Sequence, residues 1–382
     1  MPPCLRRRAL CVGIQRYEGD RALLTEVPRA HQDAKNLGKA LKAKYNYDVT
    51  LLLDDGIGDE PNKANIMDAL TKLVTEAKPG DRLFFHYSGH GGQVTNYDGS
   101  EEDGFDEVLV PIGAKMEEPG QSKTPKPEWD KDTVIQDDEL NKLVTSKLPP
   151  GCSLIVVFDC CHSGTAMDLK HERWCASRSP SSEDSGRLLD GQSLCSEPES
   201  ISDINDETDT SLTSTLSCWS AGNRTLSKDS HSASGSTRTR STRHMSGSIV
   251  LSGEVMGINA SQSPTGLRRY RKCRSLVLRG ASKDPHEECS DNQPCIFLLA
   301  ACADDNNAWG GKKKGGLFVN VLLECIKKDY FTQLILKDLL FQTHHLLRSK
   351  AKKVAKARPG TKIQELRFSS HTLPDLNSVI PI

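Results

Sequence analysis

The chain contains no Cys-x-x-Cys pair, although it has 13 cysteines. That absence takes away the usual support for a zinc ribbon or a dithiol redox motif. No apolar run approaches the ~20 residues that a membrane-crossing helix needs. The apolar stretch behind Met1-Pro-Pro-Cys-Leu-Arg-Arg-Arg8 is too short for a secretory signal. The thiols are therefore expected to stay reduced, in cytosol or nucleus. Charge imbalance is missing as well: 50 basic and 51 acidic side chains leave a formal net charge of −1. Nothing in that balance points to generic nucleic-acid or membrane-surface binding. Hydrophobic residues are scarce, at 36% of 382 positions, which implies a sizeable stretch outside any packed core. No internal repeat is visible.

What is present reads as alternating strands and helices. Leu10–Ile14, Val49–Leu53, Arg82–Tyr87, Glu107–Ile112, Ser153–Phe158, Cys295–Ala301 and Lys362–Phe368 have strand character. Pro111 puts the end of its strand at a sheet edge. Helical spacing of apolar residues marks Ala30–Tyr45, Lys63–Ala77, Asp137–Ser146, Gly315–Ile326 and Leu334–Ser349. Pro79-Gly80 stops the second of these. The order predicts an α/β fold with a mostly parallel central sheet and helices on both faces, a three-layer sandwich. Residues 171–293 break the pattern, being rich in Ser, Thr, Gly and charge. Such a stretch buries too little apolar area to offset its ordering entropy. It reads as a disordered linker inside one domain, between residues 1–170 and 294–382. An apolar island at Ser248–Ile258 and a basic patch at Arg268-Arg-Tyr-Arg-Lys-Cys-Arg274 lie within it.

Two strand ends carry the chemistry. Phe85-His-Tyr-Ser-Gly-His90-Gly-Gly92 offers an imidazole at a glycine turn, and Phe158-Asp-Cys-Cys161-His-Ser-Gly164 offers a thiol. In open parallel sheets functional groups gather beyond the carboxyl ends of the strands. A thiol nucleophile with an imidazole base follows. Backbone N–H groups of the glycine turn, those of Gly91 and Cys161, would hold a developing oxyanion. Periodicity does not choose between Cys160 and Cys161, because their strand is apolar on both faces. His86 and His90, four apart, would share a face only in a helix, so zinc is not expected. His162 reads as structural, since adjacent strand or turn residues usually point apart.

With both motifs present and in the order His then Cys, the chain resembles the metacaspases, caspase-related cysteine peptidases. The resemblance spans about residues 8–169 and 294–376, and it selects Cys161, directly before His-Ser-Gly, with His90 as its partner. It implies a caspase-like sandwich and hydrolysis of peptide bonds in protein or peptide substrates by a monomeric enzyme. Asp106, Asp137, Asp138 and Asp168 match the four aspartates that bind activating Ca²⁺ in that family. Read as residues alone, Asp137 and Asp138 could equally be a helix start. Asp33 and Asp159 match the acidic floor of the first specificity pocket, with Ser88 lining it, so cleavage is expected after Arg or Lys. The Gly-Cys element usual before the first of these aspartates is replaced by Val27-Pro-Arg-Ala-His-Gln. Self-cleavage in the basic linker is a further expectation, since exposed disordered segments are preferred sites of cutting. Two other outcomes stay open at this point: a catalytically silent scaffold of the same fold acting in protein quality control, and a caspase-like peptidase cutting after Asp.

Overall fold

The computed structural model describes residues 5–17, 24–101, 103–117, 128–172, 216–218, 293–302, 308–311, 315–327, 335–357 and most of 362–380. All fall within one compact unit, Met1–Asn223 together with Cys273–Ile382; a second unit, Arg224–Lys272, lies wholly outside the described residues. The basic patch and the apolar island of the linker also fall outside them.

A seven-stranded sheet forms the centre. Its parallel part consists of β1 (Arg7–Gly13), β2 (Asp48–Leu53), β3 (Arg82–Ser88), β7 (Ser153–Asp159) and β10 (Cys295–Ala300). The order across the sheet is β2-β1-β3-β7-β10, completed by antiparallel β13 (Arg367–Ser370) and β8 (His171–Glu172). Every residue of β7 is buried, as expected for a central parallel strand covered on both faces.

The strand order fixes where the helices go. From β1 the chain steps one way to β2 through α1 (Ala30–Tyr45), then back across β1 to β3 through α2 (Lys63–Thr75). Right-handed crossovers in opposite directions place α1 and α2 on opposite faces. Helix α3 (Asp137–Lys147), between β3 and β7, packs beside α2, whereas α4 (Leu317–Lys327) packs against both α1 and α5 (Leu336–Ala357). The result is the expected α/β/α sandwich. Helix α2 begins at Asn62, whose side chain accepts the Asn65 N–H at 2.9 Å. Helix α3 begins with a capping box between Gln136 and Glu139.

Several elements differ from the sequence reading. The segment at Glu107–Ile112 is β5 (Phe105–Leu109), and it leaves the main sheet for an antiparallel trio with β4 (Gly91–Thr95) and β6 (Ile135–Gln136). Pro111 has no N–H for a ladder, and the strand stops before it. Gly315–Gly316 is a short strand, β12, rather than the start of α4. It pairs with β11 (Trp309–Gly311), which in turn pairs with β9 (Leu216–Cys218). So two short pieces of the 171–293 stretch, β8 and β9, are strands held by backbone pairing to neighbours, which needs no apolar pattern of their own.

Candidate active site

Ser88 and Asp159 are register partners in adjacent parallel strands, so His90 and Cys161 stand at the same two-residue offset beyond them. The two turns touch. A Cβ on Gly91 would fall onto the Cys161 carbonyl oxygen and lie 3.3 Å from the Cys160 Cβ. Only glycine permits that approach, and Gly91→Ala should drive the turns apart. We expect the variant to lose about 100-fold in peptide hydrolysis per folded molecule and to melt lower than wild type, since the clash is with backbone, a comparison of initial rates and thermal melts.

His90 is fully buried, and its Nε2 lies 2.6 Å from the Thr25 carbonyl oxygen. A carbonyl only accepts, so Nε2 is the donor of this bond, and Nδ1 is the ring's other nitrogen. Cys161 is buried as well, and its Sγ accepts the Ala308 N–H at 3.2 Å. The Sγ also lies 4.0 Å from the Ala308 carbonyl oxygen. Cys160 differs: burial pushes its thiol well above the ordinary range, reinforced by Cys302 and Asp159 and only partly offset by Ser163. Both sulfurs are buried, and the Ala308 N–H distinguishes the surroundings of Cys161 from those of Cys160.

Asp33, on α1, and Asp159, at the end of β7, are both buried. The Gly316 N–H donates to Asp33 at 2.7 Å, and the Val319 N–H donates to Asp159 at 3.1 Å. Both donors flank the start of α4, whose N-terminal end favours negative charge. Burial raises Asp159 to about 7 despite the Val319 bond. Burial, then the charge of Asp159, raises Asp33 well above its ordinary value. The Oδ1 of Asp159 and the hydroxyl of neighbouring Ser88 are buried with no hydrogen-bond partner among the described residues. His86, on the same face of β3 as Ser88, is buried with neither ring nitrogen paired among the described residues. Burial lowers it to about 3, so it is neutral. The His90 Nε2 is engaged by the Thr25 carbonyl.

The acidic residues expected to act together are partly brought together. Asp137, Asp168 and Glu101 each place a carboxylate oxygen within 4.8 Å of the others, the one such cluster among the described residues. Asp137 is raised to about 7 by burial, partly offset by the Glu107 and Asp138 N–H groups and reinforced by Asp106 and Glu101. Asp168 is raised to about 8 by burial and by the charges of Asp137, Glu101 and Asp138. Asp106 and Asp138 lie beside the cluster, near enough for their charges to be felt. Lys131 pairs with Asp106 at 2.9 Å. Glu101 was not anticipated; its only mark in the sequence is a run of acidic residues, a common surface feature. Asp168 and His162 both have positive φ, 41° and 53°, at either end of the loop that follows Cys161. Two non-glycine residues in that region mark a strained loop held by its surroundings.

Residues 7–170 match the family described as metacaspase, peptidase C14 domain. Metacaspase-1 of Cryptococcus neoformans is 39% identical over 171 residues, covering 44% of this chain and 33% of its own length. Metacaspase-1 of Sclerotinia sclerotiorum is 40% identical over 171 residues, covering 44% and 35%. The chain therefore spans about a third of the length of the curated relatives it matches. Among solved structures, caspase-1 of Spodoptera frugiperda superimposes with a TM-score of 0.44 at 12% identity, over 97% of this chain and 88% of that one. That superposition is loose, and the fold assignment rests on the strand order itself. Residues 7–170, which hold both His90 and Cys161, are thus similar to the peptidase C14 domain of the metacaspases.

Proposed function

We propose that this protein is a Ca²⁺-dependent cysteine endopeptidase that cuts after Arg or Lys. The observation that carries the reading is the shared offset of His90 and Cys161 beyond paired strands, with their turns in contact. The Cys161 proton passes to His90 Nδ1, and the sulfur bonds to the scissile carbonyl carbon. The carbonyl oxygen takes up charge against the N–H groups of Gly91 and Cys161. The imidazolium then protonates the leaving amine, the C–N bond breaks, and an acyl-enzyme remains for water to hydrolyse. His90 removes the proton of that water, and Cys161 leaves as the thiol.

Specificity follows from the buried acids. Two carboxylates held away from water favour a cationic guest, because an unpaired buried charge is costly. The Asp159 Oδ1 and Ser88 hydroxyl, partnerless among the described residues, are acceptors that an Arg or Lys side chain would satisfy. A guest ending in Asp would meet two buried carboxyls and no cation, which disfavours the caspase-like alternative. Basic residues of the linker, Arg268 to Arg274, are the candidate positions for self-processing. A purified Cys161→Ala protein should stay intact there while the wild type is cut. Cutting at equal rates in the two would remove self-processing from the account.

The donor set fits a hard cation. Asp137, Asp168 and Glu101 converge on oxygen alone, with Asp106 and Asp138 close by, as Ca²⁺ prefers. Bound there, Ca²⁺ would supply charge that these crowded carboxylates lack, and fix the loop that follows Cys161. Titration with CaCl₂ should raise the melting temperature of the full chain. At 100 times the dissociation constant, the gain is about 2.7 kcal/mol. Asp168→Asn together with Glu101→Gln should abolish the shift. A shift unchanged in the double variant would place the ion elsewhere.

A further inference from the structure

The geometry points to Tyr17 and Tyr87 as positioning residues that clamp His90, with Asp54 anchoring the loop that presents Tyr17. The inference rests on the proposed role of His90, but its structural half can be tested without any activity. Both backbone groups of His90 are held by phenols. Its N–H donates to the Tyr17 hydroxyl at 2.6 Å, and its carbonyl accepts from the Tyr87 hydroxyl at 2.9 Å. The two hydroxyls lie 3.5 Å apart. The hydrogens can therefore run in one direction, from His90 N–H to Tyr17, from Tyr17 to Tyr87, and from Tyr87 back to the His90 carbonyl. The single Tyr87 O–H is shared between the His90 carbonyl and the Val110 carbonyl, the latter at 2.8 Å. The ring closes on a single residue.

Each phenol must stay protonated for this to work, and burial raises both. The Tyr17 ring also tilts against the imidazole at a centroid distance of 4.7 Å. Gly89 is what admits the pair, since a Cβ there would lie 2.7 Å from each hydroxyl. The loop after β1 thus supplies Tyr17 to the His90 backbone and the Thr25 carbonyl to its Nε2. Its two ends are tied by the Val27 N–H donating to the Gln15 carbonyl at 2.9 Å.

Asp54, at the end of β2, secures the start of this loop. It accepts the Gln15 N–H at 2.8 Å and the Arg16 N–H at 2.5 Å, and it contacts the His31 ring. Apart from the Tyr17 ring, which packs on the imidazole, these groups hold the loop and the His90 backbone. Their role is to keep the imidazole where a proton can pass, and a misplacement of about 1 Å can cost about 100-fold in rate.

The test uses full-length Tyr17→Phe and Tyr87→Phe proteins with Ca²⁺ present. Hydrolysis of an Arg-terminated fluorogenic peptide gives kcat and KM, and hydrogen exchange reports on the His90 amide. Tyr17→Phe keeps the ring and loses only the hydroxyl. Its kcat should fall about 10-fold with KM within about twofold, and its His90 amide should exchange about 10-fold faster. A purely structural role would lower the melting temperature and leave kcat per folded molecule intact. Tyr87→Phe should repeat the kcat loss, which keeps the inference testable if one variant folds poorly. Wild-type kcat, or wild-type protection of the His90 amide, in well-folded Tyr17→Phe would overturn the clamp. If the wild type hydrolyses nothing yet the amide is deprotected in Tyr17→Phe, the clamp stands and the peptidase reading fails.

Discussion

Cys161→Ala and His90→Ala should each reduce hydrolysis of Arg- or Lys-terminated peptides by about 10⁴-fold or more, with the double variant scarcely worse. Groups that act as one unit are strongly non-additive, because removing either already removes the covalent route. The physical basis is the meeting of two turns at equal offsets beyond β3 and β7. Cys160→Ala should behave differently. Its thiol is held protonated by burial and lies within the strand-end packing, so its loss should cost less than about tenfold in rate. Initial rates on purified variants, compared at equal folded concentration, decide the matter. A Cys160→Ala protein as dead as Cys161→Ala would mean the sulfur assignment is reversed.

Asp159→Asn should make the protein more stable and less useful. The carboxyl has a folded-state value of about 7 against 3.8 for the ordinary group. Between those values the unfolded chain has released a proton that the folded chain retains. Stability therefore falls as pH rises from about 4 to about 7, and the whole cost is present above 7. A shift of that size corresponds to something on the order of 4 kcal/mol. An amide is nearly isosteric, and its oxygen keeps the Val319 N–H. The variant should melt several degrees higher than wild type at pH 8 and close to it at pH 4, by calorimetry. Its kcat/KM for an Arg-terminated peptide should drop about 100-fold, since a cationic guest loses its buried partner. Natural sites often carry a destabilising group for function, and this is one place where removal would expose the trade. Equal melting temperatures across that pH range would mean Asp159 is ionised and solvated, contrary to the structure.

Much of this was legible from residues. Apolar runs ending in glycine turns located β3 and β7, because a fully buried parallel strand leaves a near-continuous hydrophobic signature. The spacing of Ala30, Ala34, Leu37 and Leu41 located α1 for the same reason. The resemblance then picked Asp33 and Asp159, and the structure does bring them under one helix start. What stayed hidden were the contributions of backbone groups. The Thr25 carbonyl and the Ala308 N–H belong to every residue type and leave no mark in a sequence. Strand β4 was missed because Gly91-Gly-Gln-Val-Thr95 has little apolar pattern and pairs only locally. Glu101 was missed because the acidic run of its hairpin loop looks like a solvated surface, and Tyr17 because its loop's course depends on contacts distant in sequence.

The most direct test is active-site trapping. The Ca²⁺-loaded protein is treated with a peptide chloromethyl ketone ending in Arg, digested and mapped by mass spectrometry. The account predicts one adduct, on Cys161, formed in step with loss of hydrolysis and nearly absent from His90→Ala. Full inhibition with Cys161 unmodified, or full activity with Cys161 quantitatively alkylated, would contradict it.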